Sequence, residues 1–344
     1  MEPILAPGNR VVVAGGAGFL GSHLCAALIA RGVSVECLDD LSTGRFDNIA
    51  ALVAHPRFRF RRIDISEPFD ITDEVAAVLH LASPASPADY RKLPLATLRA
   101  GSAGTWSLLR LAKAKRARFV LASTSEVYGD PEQHPQSESY WGHVNPVGPR
   151  AVYDESKRFA EALTACFRRD LDVNTGIVRI FNSYGPRMRP DDGRMVPTFI
   201  RQALTEQPLT ITGTGEQTRS LCFVDDTVRG LLAFTAASHS GPINIGSRVE
   251  KTVRHVANVI RKLTGSTAPL QFLPPSVDDP ARRCPNTSLA HDLLGWQTTV
   301  PLEEGLTRTA EAMAAELGLP LPASLGDDAA ARNAVGSVRR GTRQ

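Results

Sequence analysis

The chain has 344 residues, 42% hydrophobic and 22% charged, enough for one large α/β domain or two smaller ones with a substantial core. A formal net charge of +3 is small for that length and gives no reason to expect nucleic acid or a membrane surface as a partner. The five cysteines (Cys25, Cys37, Cys166, Cys222 and Cys284) are scattered without metal-ligand or redox spacing, so reduced thiols and no metal site are expected.

Apolar, β-rich runs alternate with helical patterns along the first half. Strands are predicted at Arg10–Ala14, Val33–Leu38, Phe58–Ile63, Ala76–Leu81, Phe119–Ser123 and Val173–Ile180. Helices are predicted at Gly18–Arg31, Pro94–Lys115 and Ala151–Asp170. This alternation implies an α/β, Rossmann-type, doubly wound parallel sheet covered on both faces. Residues 1–182 are expected to form a dinucleotide-binding domain, to which segments near 218–246 return. Residues 183–318, with short strands and Gly/Pro turns, are expected to form mainly a smaller substrate-binding region. Residues 319–344 lack apolar periodicity and read as a disordered tail. No signal peptide or membrane span is expected, and the expected location is the cytoplasm.

The run Gly15-Gly16-Ala17-Gly18-Phe19-Leu20-Gly21 follows the first strand and opens the first helix. Such a loop lets backbone approach a pyrophosphate, with N–H donors and positive potential at the helix N-terminus. Asp39 ends the second strand, 18 residues after Gly21, where a carboxylate can accept both ribose hydroxyls of NAD and repel the extra phosphate of NADP. Asp40 is the competing acceptor, and Arg45 leaves NADP open. Asp64 and Ile65, after the third strand, are placed to flank the adenine, although a loop carboxylate in solvent reads the same way.

Tyr153 and Lys157 form a Y-x-x-x-K pair on one face of a predicted helix. A tyrosine acting as base near neutrality needs its pKa lowered by roughly three units, about 4 kcal/mol. A lysine cation at about 4 Å, with an effective dielectric of ~20, supplies about that much. Thr124, Ser125 and Glu126 follow the fifth strand, at the carboxyl end where parallel sheets bind ligands.

These pieces resemble the extended short-chain dehydrogenase/reductase family, and within it the UDP-glucuronate decarboxylases (UDP-xylose synthases), over roughly residues 10–304. The most specific stretch is Ser123 to Glu161, which contains YWGHVNPVGPR. Further matches are HLASPASP (80–87), FNSYGPRM (181–188), DDGRMV (191–196), GEQTRS (215–220) and DDPARR (278–283). The resemblance implies that Tyr153 takes the sugar C4 hydroxyl proton, tuned by Lys157. Thr124 would bond the substrate, Ser125 and Glu126 would lie near its carboxylate, and Arg283 would assist decarboxylation or protonation. Ser83, Tyr90, Asn182, Arg187, Val196 and Arg219 match substrate-side positions, and Leu81 a cofactor-side one. NAD would be tightly held and recycled. Oxidation at C4 makes a ketone β to the C6 carboxylate, so carbon dioxide can leave before reduction yields UDP-xylose.

Ser125 separates this pattern from the 4,6-dehydratases, which the resemblance gives an Asp-Glu acid/base pair here; a hydroxyl is too weak an acid to protonate a leaving group. Gly101 replaces the family's asparagine, Thr212 a tyrosine, and Cys284 and Asn286 a lysine and an aspartate. These departures imply some release of UDP-4-keto-pentose. The rival readings are a 4,6-dehydratase or 4-epimerase, and an inert dinucleotide-binding regulatory module. A homodimer is implied, packing through a four-helix interface from Pro94–Lys115 and Ala151–Asp170.

Overall fold

The computed structural model describes residues 3–275 and 282–320. Residues 321–344, most of the expected tail, lie outside the described residues, as do Asp278 to Ala281 of the DDPARR run. The described residues fall into two compact units: Met1–Ser183 with Arg219–Glu250 and Val277–Thr299, and Tyr184–Thr218 with Lys251–Ser276 and Val300–Gln344.

The first unit holds a seven-stranded sheet. Six strands come from its first segment: β1 (Arg10–Ala14), β2 (Ser34–Asp39), β3 (Phe58–Arg62), β4 (Ala77–His80), β5 (Arg118–Thr124) and β6 (Thr175–Ile180). The seventh, Ile243–Ile245, returns from later in the chain to pair with β6. The spatial order is Ile243–Ile245, β6, β5, β4, β1, β2, β3, and every pairing is parallel. The α/β Rossmann-type sheet expected from the alternation is therefore the one observed. Strand order reverses between β1 and β4, and the carboxyl ends there open the crevice in which doubly wound sheets bind ligands.

Burial explains the continuous apolar runs. Val11 to Ala14 in β1 and all seven residues of β5 are buried, since helices cover both faces. The edge strand β3 alternates phenylalanine with arginine instead. Its Arg59 and Arg61 reach the buried Glu36 on β2 at 3.8 and 3.7 Å, so the edge carries charge and discourages further strand addition.

One expected helix is not continuous. Pro94–Lys115 is two α-helices, Pro94–Arg99 and Thr105–Lys115, joined by a π turn at Ala100–Gly104. A Cβ on Gly101 would stand 2.7 Å from the carbonyl oxygen of Ser156, and one on Gly104 would stand 2.7 Å from Ile65 Cδ1. The absent side chains let this segment pack against the Ala151–Leu171 helix, and the wider turn aligns it.

The second unit contains the helices Met195–Leu204, Val253–Thr264 and Leu302–Leu317, with a parallel pair of strands, Leu209–Thr212 and Leu270–Leu273. Among the described residues, no helix is long and apolar enough to cross a membrane.

Candidate active site

The glycine loop lies at the carboxyl end of β1. Gly15 has φ +80°, and a Cβ there would meet Ala82 N at 2.5 Å. Gly18 caps the Phe19–Ala30 helix, whose first turn carries no acidic side chain to compete with an anion. Gly15, Gly18, Asp39, Asp40, Asp64, Ile65, Leu81 and Ser83 line one cleft. Phe19, Leu20 and Gly21 do not line it. Gly21 closes the motif internally: a Cβ there would stand 2.0 Å from Gly15 O, so only glycine lets the helix pack on the loop.

Asp39 Oδ2 accepts a hydrogen bond from Ala17 N and Oδ1 one from Leu41 N, both at 2.9 Å. Burial raises its pKa, opposed by these backbone donors. Each oxygen retains acceptor capacity, so Asp39 can meet a ribose while holding the loop. Arg45 does not line the cleft, and its guanidinium is 3.4 Å from Asn48 Oδ1. The cleft thus fits a dinucleotide whose ribose is unphosphorylated. Asp64 accepts two bonds from Ser66 and Ile65 packs in the core, so Asp64 is a turn former as well as a cleft wall.

The chemical groups come from the end of β5 and the Ala151–Leu171 helix. Thr124 Oγ1 caps the short 3-10 turn Ser125–Tyr128 by accepting from Glu126 N. Tyr153 and Lys157 are both buried, with the Lys157 ammonium 5.9 Å from the Tyr153 ring centroid. Lys157 Nζ donates to Ala122 O at 2.9 Å, and burial lowers its pKa to about 8, with Glu161 opposing. Tyr90 stacks on Tyr153, centroids 5.4 Å apart, and its buried hydroxyl makes no hydrogen bond to protein. His80 is buried on β4 against Thr105, and burial, then Lys157, lowers its pKa to about 3. It is neutral and adds no charge to the site.

Glu126 sits between two guanidinium groups. Arg150 Nη2 donates to its Oε2 at 2.5 Å, and Arg283 Nη1 donates to its Oε1. Arg283 also donates to Gly129 O at 3.1 Å. Burial pushes the Glu126 carboxyl up, but Arg283 and Arg150 together outweigh it and hold it at about 2. Asp154, beside Tyr153, feels the opposite balance. Burial and then the Glu126 charge raise it to about 7, and its Oδ1 has no hydrogen-bond partner. Arg150 and Asp154 were not singled out from the sequence. Their position within GPRAVYDESK was the available signal, since Arg150 precedes the Tyr–Lys pair and Asp154 lies within it.

Among the substrate-side residues, Ser83, Tyr90, Asn182, Arg219 and Arg283 belong to the first unit, and Arg187 and Val196 to the second. Asn182 follows β6, where its carbonyl accepts from Cys222 N and its buried Nδ2 has no protein acceptor. Ser83 Oγ donates to Pro84 O.

A model described as the NAD dependent epimerase/dehydratase family matches residues 11–246. The UDP-glucuronic acid decarboxylase 1 of Xenopus tropicalis is 48% identical over 301 residues, covering 88% of this chain and 71% of that protein. The UDP-glucuronic acid decarboxylase 6 of Arabidopsis thaliana is 45% identical over 312 residues, covering 90% of each. Among solved structures, the UDP-glucuronic acid 4-epimerase of Bacillus cereus, in complex with UDP-glucuronic acid and NAD, superposes with a TM-score of 0.81 at 30% identity, covering 89% of this chain and 99% of that one. The UDP-glucose 4-epimerase of Thermotoga maritima, with UDP-glucose, gives 0.80 at 28% identity, covering 90% and 99%. A cleft shaped for an unphosphorylated dinucleotide and a family match across most of the sheet-bearing unit agree, and the chain belongs to the NAD dependent epimerase/dehydratase family.

Proposed function

We propose that this enzyme is an NAD-dependent carboxy-lyase that converts UDP-glucuronate to UDP-xylose through a UDP-4-keto intermediate. The observation that carries this reading is Glu126 held ionised between Arg150 and Arg283, next to Ser125. A carboxyl held at about 2 cannot protonate a departing hydroxyl near neutrality, so 4,6-dehydration lacks its acid. The curated relatives named as UDP-glucuronic acid decarboxylases, at 44–49% identity, support the same choice.

NAD, when bound at the glycine loop and Asp39, supplies the reversible hydride acceptor for the sugar C4. Tyr153 takes the C4 hydroxyl proton, and the Lys157 ammonium stabilises the resulting phenolate. Thr124 positions the hydroxyl. Arg150 and Arg283 supply two positive charges against the single charge of Glu126. With Asp154 neutral, the cluster keeps one net positive charge to receive the substrate carboxylate. The C4 ketone accepts the electrons that carbon dioxide leaves behind, protonation at C5 replaces the lost carboxylate, and return of the hydride to C4 and of the Tyr153 proton to its oxygen would give UDP-xylose. Asn182, with its unclaimed amide, and Arg219 suit the nucleotide end. Residues 1–182 with the returning segments form the NAD-binding domain, and most of 183–318 the substrate-binding region.

A homodimer is part of this proposal. Leu95 and Trp106 within Pro94–Lys115, and Phe159 within the Ala151–Leu171 helix, are 74%, 48% and 52% exposed. The free cysteines suit a reducing cytoplasm.

Purified enzyme incubated with UDP-glucuronate should release carbon dioxide and form a UDP-pentose, and Tyr153→Phe should abolish both. A product that keeps its carboxylate would mean 4-epimerisation, the reaction named for the Bacillus cereus neighbour. No turnover of UDP-glucuronate, with or without added NAD, would favour the inert module. NADH accumulating in step with a UDP-4-keto-pentose would show the partial release that Gly101 and Thr212 suggest.

A further inference from the structure

Three unlike side chains, distant in sequence, meet within the first unit and outside the residues assigned to NAD or the sugar. A ligand atom each from His134, Glu250 and Cys284 lies within 4.8 Å of the others. His134 Nε2 is 2.8 Å from Glu250 Oε2. Cys284 is buried, whereas His134 and Glu250 reach the surface, so the cluster is in contact with solvent through those two side chains.

The frame beneath it is fixed. Gln136, fully buried, clasps the Cys284 segment: Gln136 N donates to Cys284 O, Cys284 N donates to Gln136 Oε1, and Asn286 N donates to Gln136 O, all at 2.8–2.9 Å. Asn244 Nδ2 adds bonds to the carbonyls of Gln136 and Asn286. The backbones bearing His134 and Cys284 are thus held together before any ligand arrives, which lowers the cost of capturing one.

We propose that His134 Nε2, Glu250 Oε2 and Cys284 Sγ form a binding site for a thiophilic divalent cation of the zinc type. One thiolate, one carboxylate and a neutral imidazole carry two negative charges, which balance the ion. Nitrogen, oxygen and sulfur in that number leave one tetrahedral position for water. Binding displaces the thiol proton and the contact between Glu250 and Arg282, now 3.4 Å apart. The Arg248 carbonyl, 3.6 Å from Cys284 Sγ, faces the same group. Cys284 directly follows Arg283, so a bound ion would brace the strand whose guanidinium holds Glu126. Cys284 is where the family pattern has lysine, whose ammonium would exclude a cation.

The test is Co2+ titration of chelator-treated, NAD-loaded, reduced enzyme, followed by absorption. One equivalent should bind with a thiolate-to-cobalt charge-transfer band. Cys284→Ser should abolish the band, and His134→Ala should weaken binding by more than about 100-fold, beyond the range typical of outer-shell partners. Zn2+ should raise the melting temperature of the parent enzyme but not of Cys284→Lys, a variant that carries the family's own residue. Absence of the band, its persistence in Cys284→Ser, or equal Zn2+ stabilisation of Cys284→Lys would each overturn the assignment. None of these readouts depends on which sugar nucleotide the enzyme turns over.

Discussion

Asp154 is the residue whose protonation decides what charge the substrate meets. Its carboxyl is raised to about 7, so below that pH it is neutral and the Arg150–Glu126–Arg283 cluster carries one net positive charge. As pH rises through 7, Asp154 ionises and cancels that charge. The KM for UDP-glucuronate should therefore rise between about pH 7 and 8, and Asp154→Asn should keep it low across that range, read from initial rates at fixed NAD. An unchanged alkaline rise in Asp154→Asn would assign it elsewhere. Lys157, at about 8, loses its charge over the same region, but its effect falls on kcat through Tyr153. The Lys157 ammonium lies 5.9 Å from the Tyr153 ring centroid, where its positive charge favours the phenolate. Tyr153 and Lys157 were legible because four residues on a helix is a local relation. Arg150, Asp154 and the His134–Glu250–Cys284 group were not, because their meaning depends on partners distant in sequence, such as Cys284 for His134.

At the scale of elements, β1, β2 and the first helix were readable nearly to the residue, since buried parallel strands are continuous apolar runs and the glycine loop punctuates them. The π turn was not. Ala100 to Gly104 reads as AGSAG, a run with no periodicity to distinguish four residues per turn from five. Its cause is tertiary: Gly101 faces the Ser156 carbonyl. A methyl at 2.7 Å from that oxygen cannot be accommodated without separating the two helices. Gly101→Ala should cost about 1–3 kcal/mol of stability by overpacking, seen as a lower denaturant midpoint with an unchanged slope. Because Ser156 adjoins Lys157, the same variant should lower kcat more than it raises KM. A stability equal to that of the parent would mean that the crossing is loose.

On the scale of the whole molecule, Leu95, Leu98, Trp106, Phe159 and Leu171 are exposed apolar residues on the helices where the dimer is proposed. Replacing Trp106 and Phe159 together by glutamate puts two charges per protomer on that face. The double variant should sediment at the monomer mass when the parent sediments as a dimer; a monomeric parent, or a dimeric double variant, would place the interface elsewhere. The two-unit division could be read only in outline, since the sequence marks where regular alternation stops near Asn182 but not which later segments return. Residues 282–299, within the stretch expected to be mainly substrate-binding, group with the first unit.

The clamp on Glu126 has a consequence for how the chain is made. Its two arginines lie 24 and 157 residues further along. A ribosome delivers Arg150 with the Ala151–Leu171 helix, long before Arg283 and after only part of the sheet-forming sequence has emerged. Arg150 is therefore available to pair with Glu126 before Arg283 has been made. The strand Ile243–Ile245 then completes the sheet, and Arg283 arrives last. The site thus reaches its finished charge only once nearly the whole first unit exists.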